Sequence, residues 1–248
     1  MTDAHNQDLT ARTGSNLYPA TMRQSFGDLS LELDVPEGVW NPTPHGIHLG
    51  NMLMKLDFTN EHVLEIGTGC GIHAILLAKR GAREITVTEL NAETNANALH
   101  NLRKHGVEIP IHQQVADWIQ LEGASHQGGP WDTLVTNPPT AKAGKHYRRY
   151  FHDTLILDAH KLVKPGGRLI FINSSMIDIP RTIALMEECA MTVRIVGETS
   201  GPFRDYYFED DQYMLEMARI PGAYQMIDGV HHERLVVFEA RLPESAAL

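Results

Sequence analysis

Apolar and polar residues alternate along Leu29–Val35 (LSLELDV), a period of two that predicts a half-buried strand. Pro36-Glu37-Gly38 then supplies turn chemistry ahead of Val39-Trp40, so the stretch reads as a small hairpin, and the residues before it look unanchored. The period lengthens after Pro44. Ile47, Leu49, Leu53, Met54 and Leu56 form one helical face, with Pro42 and Pro44 delaying the helix start. Strands and helices then alternate. Apolar runs at Val63–Ile66, Ile85–Thr88, Ile111–Val115, Leu134–Thr136 and Leu169–Asn173 predict strands, and His73–Lys79, Ala92–Lys104 and Phe151–Leu162 predict helices. Strands separated by helices need crossover connections, which favour a mostly parallel sheet with helices on both faces. The β-prone run Leu235–Ala240 closes the pattern. Between about Met191 and Glu233 the rhythm gives way to the acidic, aromatic GPFRDYYFEDDQY, which reads as a lid-like insertion around 199–232 or as a peripheral excursion. The expected organisation is an N-terminal segment with hairpin over 1–40 and one α/β domain over 41–248.

Composition narrows the class. With 248 residues, 42% hydrophobic and 21% charged, the chain can bury a full core. No apolar run reaches the roughly 18 residues of a membrane span, and the polar opening MTDAHNQDLT lacks a basic patch and apolar signal core. A cytoplasmic protein with no membrane partner is expected. Cys70 and Cys189 make neither a disulfide framework nor a CxxC pair, and no metal is expected. The formal net charge of -10 disfavours nucleic acid as a partner, with Lys142, Lys145, Arg148 and Arg149 as the one basic cluster.

The candidate chemistry begins at Glu65-Ile66-Gly67-Thr68-Gly69-Cys70-Gly71, where an apolar strand runs through alternating glycines into a helix. Glycine permits tight turning and lets backbone N–H groups approach a ligand. A dinucleotide fingerprint, GxGxxG, would place its third glycine one residue later, and the Glu65 carboxylate would oppose a pyrophosphate while suiting a cationic amino group. Glu89, at the end of the next strand, can accept from both hydroxyls of a ribose, or serve as a helix N-terminal carboxylate. Asp117 can accept from an adenine amino group, and Trp118 offers an apolar face or simple core packing.

Together these residues resemble class I S-adenosylmethionine-dependent methyltransferases, over roughly Trp40 to Asn173 and the last strand. The resemblance implies a Rossmann-like, seven-stranded, mostly parallel sheet with helices on both faces and an N-terminal β-hairpin. It implies S-adenosylmethionine as cofactor, its methionine end at Gly67, Gly69 and Gly71, its ribose at Glu89 and its adenine at Asp117. Lys164-Pro165-Gly166-Gly167 resembles the family's turn before the fifth strand.

Asn137-Pro138-Pro139-Thr140, after the fourth predicted strand, resembles the NPP[YFW] motif of enzymes that methylate planar nitrogens, the release-factor glutamine group among them. In that group the Asn side chain and the following carbonyl accept from the amino group and orient it toward the methyl, so Asn137, Pro138 and Pro139 are the catalytic candidates and Asn137 also touches the cofactor. Thr140 departs from the motif, which removes its stacking ring. Another aromatic, with Tyr147, Tyr150, Phe203, Tyr206 and Tyr207 as candidates, supplies the face, or the acceptor is not flat. His45 is the candidate for lining the acceptor site, alongside Thr140, Tyr147 and Tyr206. With the acidic surface, these points predict methyl transfer to a small molecule, nitrogen favoured. RNA or protein side-chain methylation, a nicotinamide oxidoreductase and a non-catalytic cofactor-binding module are the rivals.

Overall fold

The computed structural model describes residues 21–117, 120–124, 129–139, 149–209 and 211–244. Strands β1 (Thr21–Phe26) and β2 (Leu29–Asp34) pair as an antiparallel hairpin. Helix α1 (Pro44–Leu53) follows, then β3 (His62–Ile66), α2 (Ile72–Lys79), β4 (Glu84–Glu89), α3 (Ala92–Lys104), β5 (Ile111–Val115) and β6 (Trp131–Thr136). The second half comprises α4 (Tyr150–Leu162), β7 (Val163–Ser174), a 3-10 turn at Ser175–Ile177, α5 (Ile179–Glu188) and β8 (Thr192–Pro202). A second 3-10 turn (Asp205–Glu209), α6 (Asp211–Met217), β9 (Gln225–Ile227) and β10 (Val230–Arg241) complete it.

The main sheet runs β5-β4-β3-β6-β7-β10-β8, with the short β9 also paired to β10. The first five strands are parallel and β10 is antiparallel to both its neighbours. Side-chain parity splits the core into two layers. Val63, Ile85, Val87, Val135, Ile170 and Val237 meet α1, α2 and α3 on one face. Leu64, Leu134, Leu169, Phe171, Val236 and Phe238 meet α4 and α5 on the other. The mostly parallel sheet with helices on both faces expected from the alternation is present, as is the Rossmann-like architecture that the resemblance implies.

Two local expectations are corrected. The hairpin partner of Leu29–Asp34 is Thr21–Phe26, joined through Gly27 at φ 58°, and not Val39-Trp40. Phe26, Leu31 and Leu33 are buried in the same core layer as α1 and α2, which is why the strand ahead is held. The hairpin also reaches the glycine loop: the Asn101 amide donates to the carbonyls of Asp34 and Cys70 and accepts from Asp34 N–H. The second correction concerns Pro165-Gly166-Gly167, which lies inside β7, beyond a helix that already ends at Leu162, where the register with β6 shifts between Trp131 and Thr133.

Candidate active site

Sheet order reverses between β3 and β6, since the chain goes from β3 outward through β4 and β5 and then returns to the other side. The carboxyl ends of parallel strands flanking such a point form the crevice in which open α/β sheets bind ligands. Gly67 follows β3, Glu89 ends β4, Asp117 follows β5, and Asn137 follows β6. Ile66 and Thr136 are register partners, and Thr136 Oγ1 donates to Ile66 O at 3.0 Å, so Gly67 and Asn137 leave the sheet side by side.

The glycine loop has the backbone that its sequence demands. Gly67, Gly69 and Gly71 hold φ values of 69°, 53° and 84°, a region that side chains disfavour. A Cβ on Gly67 or Gly69 would meet nothing within 4 Å, whereas one on Gly71 would lie 3.0 Å from the Ala98 carbonyl oxygen. Gly71 is therefore required by packing against α3, and the first two glycines leave an open cradle.

Glu65 lies buried beneath the loop. Its Oε2 accepts from Thr68 Oγ1 at 2.7 Å, while Oε1 faces His73 Nδ1 at 3.4 Å without making a hydrogen bond. His73 Nε2 donates in turn to Gly46 O at 2.8 Å, which ties α1 to the loop. Glu89 accepts from Gly69 N–H and Leu90 N–H, both at 3.1 Å. Burial raises the Glu89 pKa above its ordinary value, the two N–H groups oppose that rise, and Glu65 adds to it. Each Glu89 oxygen keeps a lone pair for a hydroxyl donor. An orphaned carboxylate oxygen, an open cradle and a half-committed carboxylate suit the amino end and ribose of S-adenosylmethionine.

Asn137 and Pro138 are half-buried and Pro139 is exposed. A Cβ on Gly46 would sit 3.6 Å from Asn137 Nδ2 and 3.7 Å from His73 Nε2, so the start of α1 walls the NPP loop. Thr43 caps that helix and Pro44 occupies its first turn, which explains why the segment begins there. Trp118, Thr140 and Tyr147 lie outside the described residues, as does the side chain of Tyr206, whose backbone is in the second 3-10 turn. Among the aromatic candidates, Phe203 and Tyr207 are buried in a small cluster with Met176, Tyr213, Met217 and Ala223, so neither offers a free face.

His45 enters a network that the sequence did not reveal. Its Nδ1 accepts from an Arg204 guanidinium nitrogen, leaving Nε2 to donate to Glu233 Oε2 at 3.2 Å. Ser174 Oγ donates to the same carboxylate oxygen. All but Arg204 are buried, and Ser174 ends β7, the strand beside β6. The usable signal was an acid, Glu233, two residues ahead of the β-prone run Leu235–Ala240.

The sequence profile of the methyltransferase small domain family matches residues 48–203, more than half of the chain. The chain belongs to this family. As a member it is an S-adenosylmethionine-dependent methyltransferase domain. It is 33% identical over 130 residues to the release factor glutamine methyltransferase of Chlorobaculum tepidum, covering 44% of each chain. It is also 33% identical over 127 residues to the tRNA1(Val) (adenine(37)-N6)-methyltransferase of Aeromonas hydrophila, covering 49% of this chain and 52% of that one. The chain thus spans about half the length of these relatives. The T. thermophilus 16S rRNA N2 G1207 methyltransferase, solved with AdoMet and guanosine, superimposes with a TM-score of 0.58 at 15% identity over 90% of this chain and 50% of its own.

The two sequence relatives overturn the expectation of a small-molecule acceptor with nucleic acid disfavoured, because they are themselves named for a protein glutamine and a tRNA adenine. Net charge is a whole-surface average, whereas a macromolecule is engaged by the local field at one rim. Arg149 belongs to no such rim: it donates to Asp178 O, Thr182 Oγ1 and Asp153, and to Ile177 O. Lys142, Lys145 and Arg148 lie outside the described residues.

Proposed function

We propose that this domain transfers a methyl group to the exocyclic amino nitrogen of a base in RNA. The observation that carries the reading is Asn137-Pro138 at the carboxyl end of β6, side by side with the glycine cradle across the Ile66/Thr136 pair. The sulfonium supplies an activated methyl, so what the protein adds is alignment. The Asn137 side-chain carbonyl and the Pro138 carbonyl accept from the target amino group and aim its nitrogen lone pair at the cradle. Gly67 and Gly69 receive the amino-acid end of the cofactor, with Glu65 beneath it, Glu89 on the ribose and Asp117 with Trp118 at the adenine. Tyr147 or Tyr206 supplies the stacking face that Thr140 does not. The segment around 199–232 acts as a lid, since its apolar cluster packs on Met176 in the turn after β7 and Arg204 reaches His45. The setting is the cytoplasm, where tRNA and ribosomes are found.

A second reading, methylation of a glutamine amide in a protein, is favoured by the release-factor relative. Incubation with methyl-labelled S-adenosylmethionine and an RNA-plus-protein extract separates the two, because label released by nuclease supports RNA and label released by protease supports the amide. Asn137→Ala is expected to lower kcat by at least about 100-fold with cofactor Kd within about twofold. Full turnover in that variant would sink both readings.

A further inference from the structure

A second cluster of ligand-type side chains stands at the opposite, amino-terminal edge of the same sheet. His62 opens β3, Glu84 opens β4, and His112 is the second residue of β5. Register places His62 opposite Glu84, and Thr86 opposite His112, so three adjacent strands present these side chains on one face. His62 Nδ1 lies 3.5 Å from Glu84 Oε1, and His112 Nε2 lies 3.1 Å from Glu84 Oε2. All three donor atoms fall within 4.8 Å of one another, and this is such a group found among the described residues.

We propose that His62, Glu84 and His112 bind one divalent transition-metal ion of the zinc class through two imidazole nitrogens and a carboxylate oxygen. With metal–nitrogen distances of about 2.0–2.1 Å and tetrahedral angles, neighbouring ligand atoms stand about 3.3 Å apart. The separations of 3.5 Å to Glu84 Oε1 and 3.1 Å to Glu84 Oε2 are of that size, and a turn of the carboxylate with loss of the His112 Nε2 proton brings one oxygen and both nitrogens to a single ion. His112 is 53% exposed on its side chain and is free to close the remaining gap, leaving a fourth position to water.

The surroundings prepare the ring that must be fixed. Thr86 Oγ1 stands 2.9 Å from His62 Nε2 and accepts from the buried Trp131 Nε1 at 2.9 Å. A hydroxyl oxygen has two lone pairs. The second can accept from His62 Nε2–H, and once an ion is bound that bond fixes the tautomer whose Nδ1 lone pair faces it. Fixing the far nitrogen of a ligating histidine is the usual outer contact of zinc sites. Arg83 is the one competing cation among the described residues, pairing with Glu84 Oε1 at 2.7 Å, and with 55% of its side chain exposed it can swing away.

A bound ion would clip β3, β4 and β5 together at the end away from Gly67 and Glu89. It therefore acts on stability and takes no part in methyl transfer.

The test uses the full chain without a histidine tag, stripped by chelator and titrated with Co2+. One equivalent should give the strong visible absorption of a tetrahedral site, and Zn2+ should abolish it. Glu84→Gln and His112→Ala should each weaken Zn2+ binding by at least about tenfold, and Thr86→Val by about tenfold. Saturating Zn2+ should raise the Tm of the wild type and leave that of His112→Ala unmoved, while S-adenosylmethionine affinity stays the same in both. Absence of binding overturns the proposal. So does metal uptake that these substitutions leave unchanged, because the ion would then sit on other histidines of the chain.

Discussion

Gly71 shows how one residue type answers two demands at once. Its φ of 84° excludes a side chain, and so does the Ala98 backbone 3.0 Å from the Cβ position. Gly71→Ala is therefore expected to lower stability by about 2 kcal/mol or more, read from the urea midpoint. Gly69→Ala, with open space around it, should cost about 1 kcal/mol of stability but weaken S-adenosylmethionine binding more than tenfold in calorimetry. His152 makes a different kind of prediction. Burial first, and the Arg149 charge second, push its pKa down to about 3, against a weak opposing contact with the Ile172 backbone. The folded state keeps the ring neutral while the unfolded chain protonates below about pH 6.5. Stability is thus full above that pH and falls as acid is added toward pH 3, at up to about 1.4 kcal/mol per pH unit. Between pH 7 and pH 5 urea unfolding should lose about 2 kcal/mol through this group, and His152→Phe should flatten that part of the profile. The glycines were legible because φ above zero leaves so few residue choices. His152 was legible only as a helix position, since nothing local to Phe151 or Asp153 announces that the ring is sealed against Phe171.

The hairpin illustrates what periodicity conveys about an element and what it conceals. Leu29, Leu31 and Leu33 alternate cleanly, so β2 was readable, whereas β1 presents Met22, Gln24 and Phe26 inward and the polar middle residue hides the pattern. Phe26 nevertheless anchors the pair: a Cβ on Gly50 of α1 would lie 2.5 Å from its ring. Phe26→Ala is expected to cost about 3–5 kcal/mol, measured by denaturant unfolding. A loss below 1 kcal/mol would mean that the hairpin does not share the core. Strand β8 was concealed by a different device. The register with β10 shifts between Val237 and Phe238, so Ile195 and Gly197 face successive partners and Val196 is left extra. A bulge resets alternation by one residue, and a period-two search then loses the strand. The NPP loop was legible as a motif because two prolines restrict the backbone wherever they occur. Its neighbour was not: that Gly46 of α1 would stand against Asn137 follows from how the helix docks.

Arg168 ties the whole molecule together at the edge remote from the glycine loop. Its guanidinium donates to Glu61, Asp57 O and Thr133 Oγ1, lies 3.8 Å from Glu239 and sits 5.0 Å over the Phe58 ring. These partners come from three stretches of chain. Arg168→Met would strip Glu61 of its cation while Glu239 keeps Arg194, and a loss of about 3 kcal/mol is expected in equilibrium unfolding, with S-adenosylmethionine affinity preserved in the folded fraction. At this scale the net charge misled, because a sum over the surface carries no address. The sequence alone determined the order of strands and helices from α1 to β7, the glycine cradle, the acids at or after the ends of the next two strands, and the NPP loop. Each depends on steric or hydrogen-bonding preferences acting over a few neighbouring residues. Only the tertiary structure decided which strand lies beside which and that β10 runs against the rest. The meeting of His45, Ser174, Arg204 and Glu233 was decided there too. Such meetings depend on long loops closing over one shared core, and no local preference encodes where a residue more than a hundred positions away will come to rest.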